Sequence, residues 1–170
     1  MQYSGVMNFY EFGQNNSGGS FTINDKLCHR VYIEAESHRM ANSKLEDLGG
    51  YFDGVENDRD CDCCGDRWYE VSASDAMEFP KTYGTFTEER AKELSEKYNV
   101  EARKCKQVAI IGDEKRNWEL VFTAIDQYAQ WVADEYGWTS PDVRIYYADG
   151  KVLEISSVKI EKQRKKNRQK

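Results

Sequence analysis

The residues best suited to chemistry in this sequence are three cysteines within four positions, Cys61, Cys63 and Cys64. Cysteine thiolates are strong zinc ligands, and zinc binds four donors in a tetrahedron. Cys28 and His29, which are adjacent earlier in the chain, are the residues that would complete such a site. The usual Cys-x-x-Cys spacing is absent, however, and neighbouring side chains of a strand point to opposite faces. Zinc binding is therefore one of three interpretations of the cluster.

The other two interpretations concern the thiols themselves. Arg59 and Arg67 would favour a reactive thiolate suited to redox sensing, because positive charge lowers the pKa of a nearby thiol. Asp60, Asp62 and Asp66 would oppose this effect. In the third interpretation the cysteines are small, partly buried residues that shape a tight loop.

A second segment with chemical potential is the polar, glycine-containing run from 14 to 21, QNNSGGSF. Consecutive glycines allow backbone N–H groups to converge on an anion, and asparagine and serine side chains add donors. The segment lacks the Lys-Ser/Thr pair of a P-loop, so a polar turn between two strands explains it equally well. As a ligand site, its candidate residues are Asn15, Asn16, Ser17, Gly18 and Gly19.

A ligand pocket, if the chain forms one here, is expected between residues 15–20 and 61–67. Arg30 and Arg67 are the candidates for meeting negative charge on a ligand. Trp68, which follows Arg67, completes the predicted ligand-binding set.

Catalysis is not expected, because the chain has only two histidines and its carboxylates are scattered. A Cys/His pair drawn from Cys28, Cys64 and His29 has no supporting spacing, so a thiol-dependent enzyme ranks last. Trp131 and Trp138 are predicted to contact a partner, because exposed tryptophan is enriched in interface hot spots. Packing of Trp131 under the last hairpin is the alternative.

The elements that must position these residues can be predicted from apolar periodicity and capping signals. The predicted strands are 7–12, 29–35, 51–53, 68–72, 106–111, 118–122, 143–147 and 152–155. Helices are predicted after Ser37, Thr87 and Thr123, the last with Asp126 completing a capping box. The first has an apolar stripe that includes Met40. Together these predict an α+β fold with a mainly antiparallel sheet of hairpins covered by about three helices.

The composition favours one folded domain at 1–158 and a basic tail at 159–170. Hydrophobic residues make up 39% of the chain and charged residues 32%, and the net charge is −6. No apolar run reaches the length of a membrane span, and no signal peptide is apparent. An odd count of five cysteines, three of them crowded together, is typical of a reducing compartment. These features predict a cytoplasmic protein.

Two segments carry a resemblance to known proteins. They are FGQNNSGGSF at 12–21, continuing through LCHRVYI at 27–33, and the stretch 51–68, which ends in CDCCGDRW. With these NNSGGSF and CxCCGxRW segments the chain resembles a family of small, uncharacterised bacteriophage proteins, over about the first seventy residues. The resemblance implies a viral accessory gene acting in the host cytoplasm. Accessory proteins of this size commonly block a host enzyme, inhibit a defence system or sequester a nucleotide signal.

The resulting expectation is a non-enzymatic phage accessory protein that binds, and inhibits or sequesters, a host or antiviral-defence component. Its ligand is either a protein or a small phosphorylated molecule, and no cofactor is expected. The alternative is a zinc-stabilised module that contacts nucleic acid or the ribosome through the 159–170 tail, whose Lys and Arg residues suit phosphate contacts.

Overall fold

A computed structural model describes residues 6–78, 86–105, 114–136 and 143–155. In these ranges the chain has three α-helices and six β-strands, which confirms the predicted α+β class. The strands are β1 (Asn8–Gly13), β2 (Arg30–Ala35), β3 (Glu101–Lys104), β4 (Trp118–Val121), β5 (Val143–Tyr146) and β6 (Val152–Ile155). The helices are α1 (His38–Asp47), α2 (Glu88–Tyr98) and α3 (Ile125–Tyr136).

The larger sheet has four strands in the order β1-β2-β5-β6. The β1–β2 and β5–β6 pairs are antiparallel, whereas β2 and β5 run parallel in the middle. The predicted mainly antiparallel sheet is therefore confirmed, with one parallel pair added. Because β2 is an inner strand, Tyr32 is buried as completely as Val31 and Ile33, which lie on the opposite face.

Helix α1 begins as predicted, because the Ser37 side chain accepts a hydrogen bond from the N–H of Met40 at 3.2 Å. Its buried face contains three residues of the predicted stripe, Ala41, Leu45 and Leu48, but not Met40. Met40 is 44% exposed, and Asn42 is buried instead. The Asn42 amide donates to the carbonyl of Val71 at 3.0 Å and accepts from the Val71 N–H at 2.9 Å. A side chain thus satisfies backbone groups that a neighbouring strand would otherwise pair.

Four strand predictions need comment. Residues 51–53 and 68–72 contain no strand, and their predicted strands are wrong. Near Val71 the hydrogen bonds to Asn42 replace a ladder. The predicted strand 106–111 lies outside the described residues. The predicted strand 118–122 is confirmed as β4. Among the described residues it pairs with β3, a strand that was not predicted because its sequence, Glu-Ala-Arg-Lys, shows no apolar alternation.

The chain divides into two compact units, 1–78 with 132–170, and 79–131. The first unit has a core of buried apolar residues from β1, β2 and α1 together with Trp68 and Val71. The second has a smaller cluster around Leu94, Leu120 and Phe122. The single domain predicted at 1–158 stays a prediction, and the 159–170 tail lies outside the described residues. In the part of the chain that is described, no helix is long and apolar enough to cross a membrane.

Two further helix starts test the capping predictions. Thr87 caps α2 as predicted, since its hydroxyl oxygen accepts from the N–H of Arg90 at 3.2 Å. Thr123 does not form the predicted box with Asp126. Its N–H and hydroxyl both donate to Oε1 of Gln127, at 3.2 and 3.0 Å. The longer Gln127 side chain reaches back from the first turn of α3 to Thr123, whereas the shorter Asp126 side chain does not.

Candidate functional site

The two segments singled out by sequence lie against each other in the first unit. We call residues 14–20 the glycine loop and residues 61–67 the cysteine turn. The N–H of Asn15 donates to the carbonyl of Arg67 at 2.9 Å. The Asn15 side chain donates to the carbonyls of Cys64 and Asp66, at 2.6 and 3.1 Å. The N–H of Cys61 donates to the hydroxyl of Ser17 at 3.2 Å. These four hydrogen bonds join the two segments, and the Arg67 side chain adds three more.

Arg67 ties the glycine loop to the cysteine turn. Its Nη1 donates to Oε1 of Gln14 at 2.9 Å and to the carbonyl of Ser20 at 2.7 Å. Its Nη2 donates to the carbonyl of Ser17 at 2.8 Å, and its Nε to the hydroxyl of Tyr51 at 3.3 Å. A guanidinium has five N–H groups, so most of its donor capacity goes to protein acceptors. The side chain is only 11% exposed, which makes Arg67 a positioning residue in this structure.

Asp60 completes the support beneath the cysteine turn. Its Oδ1 accepts from the hydroxyl of Tyr51 at 2.6 Å, and its Oδ2 accepts from the N–H of Arg67 at 2.8 Å. Burial, followed by the hydrogen bond to Asp60, raises the pKa of Tyr51. A Cβ on Gly54 would lie 1.8 Å from the Asp60 carboxylate, so only glycine allows the chain to close over that side chain.

The backbone of the cysteine turn gathers its three sulfurs. The N–H groups of Cys64 and Gly65 both donate to the carbonyl of Cys61, at 3.2 and 3.0 Å, and Gly65 has a φ of 84°. The Cys61 Sγ lies 2.7 Å from the Cys63 Sγ, which lies 3.6 Å from the Cys64 Sγ. Cys63 and Cys64 are exposed and Cys61 is half-buried. The cluster is therefore accessible from solvent.

The thiols also influence one another electrostatically. A hydrogen bond from the Cys63 thiol lowers the pKa of Cys61, and the same contact raises the pKa of Cys63 to about 11. Cys61 is therefore the thiol of this pair that ionises first. Two of the three neighbouring aspartates that we expected to oppose ionisation are engaged elsewhere, whereas Asp62 is exposed. Asp60 accepts hydrogen bonds as described, and Oδ1 of Asp66 accepts from the N–H of Val55 at 2.9 Å.

Cys28 and His29, the other two predicted zinc ligands, do not join the cluster. Among the described residues, Cys61, Cys63 and Cys64 form the group of metal-ligating side chains, with ligand atoms all within 4.8 Å of one another. The Cys28 thiol is buried and donates to the carbonyl of Arg30 at 3.1 Å. The three-cysteine cluster could bind a metal ion through three of the five candidate ligands named from the sequence.

A cavity of about 220 Å³ lies beside the first residues of the glycine loop. It is lined by Gly13, Gln14, Asn15, Asn16, Phe21, His29 and Arg30. Three predicted ligand residues, Asn15, Asn16 and Arg30, therefore share one pocket. Its aromatic wall is the pair Phe21 and His29, with ring centroids 4.4 Å apart.

The remaining predicted ligand residues lie outside this lining. Ser17 is buried and accepts a hydrogen bond from the N–H of Cys61. Arg67 joins the glycine loop to the cysteine turn, and Trp68 belongs to the hydrophobic core. Gly18 and Gly19 are exposed. Sequence reasoning did not single out Phe21 and assigned His29 to the metal site. One sequence feature could have indicated that His29 lies in the cavity, because it immediately precedes the predicted ligand residue Arg30.

The predicted partner residue Trp131 lies in the aromatic cluster of the second unit. Its ring centroid is 5.8 Å from that of Tyr128 and 5.9 Å from that of Phe122. The side chain is half-buried, so part of it is available to a partner, and its role as an interface residue stays a prediction. Trp138 lies outside the described residues.

A family model described as a domain of unknown function (DUF7296) matches residues 7–116. The chain belongs to this family. The matched range covers more than half of the chain and contains the glycine loop, the cysteine turn and every residue that lines the cavity. Comparison with curated proteins and with solved structures gives no match. The family is thus one of uncharacterised proteins, and functional inference depends on the site itself.

Proposed function

We propose that this protein is a non-enzymatic accessory protein of bacteriophage infection that binds, and inhibits or sequesters, a component of the host or of its antiviral defence. Of the two ligand types expected from the sequence, a small phosphorylated molecule is better supported. The observation that carries this choice is the convergence of Asn15, Asn16 and Arg30 on the 220 Å³ cavity. The host cytoplasm is the proposed place of action.

The cavity offers a charged group and an aromatic ring side by side. The Arg30 guanidinium suits a phosphate, because charge-assisted hydrogen bonds are about twice as strong as neutral ones. An ion pair between Nη1 of Arg30 and Oε1 of Glu11 holds the guanidinium on the neighbouring strand, and the Arg30 side chain is 24% exposed. The half-buried Phe21, whose ring packs against the buried His29, supplies a ring face against which a base can stack.

The size of the cavity limits what it encloses. Pockets that bury drug-sized ligands have volumes of about 300–1,000 Å³, so a cavity of about 220 Å³ encloses only part of a nucleotide. The rest of the ligand would lie over the exposed Asn16. The hydrogen bonds from Asn15 to Cys64 and Asp66 hold the loop in place before a ligand arrives, which lowers the entropic cost of binding.

Calorimetric titration of the full chain with mononucleotides, cyclic dinucleotides and inorganic phosphate tests this proposal. We expect Arg30→Met to weaken binding at least about tenfold through loss of a charge-assisted hydrogen bond. Arg30→Lys retains the charge but not the planar fork of donors, so its affinity is expected to lie between those of the parent and Arg30→Met. Arg39→Met, on an exposed arginine of α1 outside the cavity lining, is the matched control. Binding that is unaffected by Arg30→Met, in a variant that unfolds like the parent, would contradict the proposal.

The infection role needs a separate experiment. Affinity purification of the tagged chain from phage-infected cells, followed by mass spectrometry, should recover a host or defence component. Release of that component by the nucleotide that binds in calorimetry would link the partner to the cavity. Recovery that is unchanged by Arg30→Met would instead favour a protein ligand bound elsewhere.

A second candidate is a zinc-stabilised module that contacts nucleic acid or the ribosome through the 159–170 tail. The observation that favours it is the accessible three-cysteine cluster. Elemental analysis of the purified chain should then give near-stoichiometric zinc. Deletion of residues 162–170 should flatten the salt dependence of nucleic-acid binding, because fewer phosphate contacts release fewer counterions. An unchanged salt slope would remove this candidate.

A further inference from the structure

The cysteine turn presents a set of soft donors that the proposed nucleotide cavity does not use. We propose that Cys61, Cys63 and Cys64 bind one copper(I) ion, and that their three sulfurs are its only protein ligands. This inference is independent of ligand binding at Arg30. It also differs from the zinc site predicted from the sequence, whose four donors would come from these cysteines together with Cys28 and His29.

The sulfur positions suit a three-coordinate cation. Metal–thiolate bonds are about 2.3 Å long, so three sulfurs arranged around a cation in one plane lie about 4 Å apart. The observed separations are 2.7 Å for Cys61–Cys63 and 3.6 Å for Cys63–Cys64, and all three sulfurs lie within 4.8 Å of one another. The first two separations are therefore shorter than the spacing that a bound cation requires, and the third is at most 4.8 Å. Cys63 and Cys64 are exposed, so their side chains can rotate to widen the shorter separations.

The backbone that carries the sulfurs is already fixed. Cys61 is anchored by its N–H to Ser17, and the Cys64 carbonyl by the Asn15 side chain. Within the turn, the Cys61 carbonyl accepts from the N–H groups of Cys64 and Gly65. A cation therefore enters a formed loop, and the entropic cost of gathering three ligands has been met during folding.

The donor set favours copper(I) over structural zinc. Structural zinc sites use four protein ligands, whereas in the described ranges no histidine, aspartate or glutamate brings a ligand atom into the group. Of the three neighbouring carboxylates, Asp60 is held by Tyr51 and Arg67 and Asp66 by Val55, and the exposed Asp62 brings no oxygen into the group. Soft thiolates suit both copper(I) and zinc, so the number of ligands decides between them: three sulfurs are enough for copper(I), whereas structural zinc needs a fourth protein ligand.

Titration of the reduced, metal-free chain under anaerobic conditions tests the proposal. Copper(I) supplied as its coloured bicinchoninate complex should transfer to the chain until one ion is bound per molecule. X-ray absorption at the copper edge should then report three sulfur neighbours. Cys61→Ser, Cys63→Ser and Cys64→Ser should each weaken binding by about 100-fold or more, the upper range for loss of supporting groups around a metal.

Two control variants separate this site from the alternatives. Cys28→Ser retains a donor for the Arg30 carbonyl, and Asp62→Asn removes the exposed carboxylate of the turn. Both should bind copper(I) as the parent does. A nitrogen neighbour in the absorption spectrum, a requirement for Cys28 or Asp62, or bound zinc that copper(I) fails to displace would overturn the proposal. None of these results would affect nucleotide titration of the Arg30 variants, so the two proposals fail separately.

Discussion

The two compact units of this chain are held by different kinds of contact. In the first unit, the end that carries the cysteine turn is organised by polar groups, above all Arg67 and Asn15. The second unit is organised by rings, with Phe122, Tyr128 and Trp131 at mutual centroid distances of 5.5–5.9 Å. Hydrogen bonds constrain direction as well as distance, whereas apolar packing depends chiefly on volume. The first unit should therefore be sensitive to changes of shape and charge that the second tolerates.

The largest effect is expected in the second unit. Phe122 is completely buried, and Phe122→Ala should lower the free energy of unfolding by about 3–5 kcal/mol through lost burial and a cavity. Phe122→Leu, which keeps most of the apolar volume, should cost about 1.5 kcal/mol or less. Urea unfolding of the full chain measures both. Equal losses in the two variants would show that ring geometry, and not volume, organises this cluster.

Arg67 provides the contrasting case in the first unit. Arg67→Met keeps much of the side-chain volume but leaves the acceptors of Gln14, Ser17 and Ser20 without this donor, and should cost about 3 kcal/mol. Arg67→Lys should recover less than half of that loss, because one ammonium cannot reach acceptors arranged around a planar fork.

Arg59 is the matched control for Arg67. Its guanidinium lies over the Tyr51 ring at 3.7 Å from the ring centroid, but the residue is exposed. Arg59→Met should therefore cost less than about 1 kcal/mol. If Arg67→Met lowered the free energy of unfolding no more than Arg59→Met, the proposed role of polar contacts in the first unit would be contradicted.

Asn42 tests whether a single amide can replace strand pairing. Asn42→Ala should cost about 2 kcal/mol, because the buried N–H and carbonyl of Val71 both lose their partner. Ser43→Ala, at the exposed next position of α1, is the control and should change stability by about 0.5 kcal/mol or less. Thermal unfolding followed by circular dichroism suffices. A similar melting temperature for the two variants would count against the role of Asn42.

Much of this fold could be predicted from the sequence, because its signals are local. The alternation of β1 and β2, the N-caps Ser37 and Thr87, and the Asp149-Gly150 turn before β6 all lie within a few residues of the structure they specify. The closeness of the glycine loop and the cysteine turn was also anticipated, since both segments were placed at one pocket.

The parts that could not be predicted depend on partners far along the chain. Val71 was placed in a strand because its neighbours alternate, yet its partner is an asparagine 29 positions earlier. Arg67 was expected to meet a ligand, and no local pattern reveals that loop carbonyls 47 and 50 positions away take up its N–H groups. A single sequence shows that a side chain can donate but not which acceptor the fold brings to it.

The smallest effect concerns Tyr51. Because burial and the bond to Asp60 raise its pKa in the folded protein, the unfolded chain loses the phenol proton at lower pH. The stabilising contribution is therefore complete below about pH 10 and disappears as the pH rises through the folded pKa. Urea midpoints should fall less steeply above pH 10 in Tyr51→Phe than in Tyr69→Phe, which alters an exposed tyrosine. Identical slopes would contradict this assignment.

The long sequence separation of the Arg67 contacts also has a kinetic consequence. Its acceptors lie 47–53 residues earlier, with β2 and α1 in between, so the network closes only after a large chain loop has been ordered. Contacts of this kind are generally made late in folding, after local elements have formed. A newly synthesised chain should therefore possess its β1–β2 hairpin and α1 before the glycine loop is fixed to the cysteine turn. During that interval the turn at Cys61, Cys63 and Cys64 has its own local hydrogen bonds but lacks the long-range supports from Ser17 and Asn15, which form only when the last loop closes.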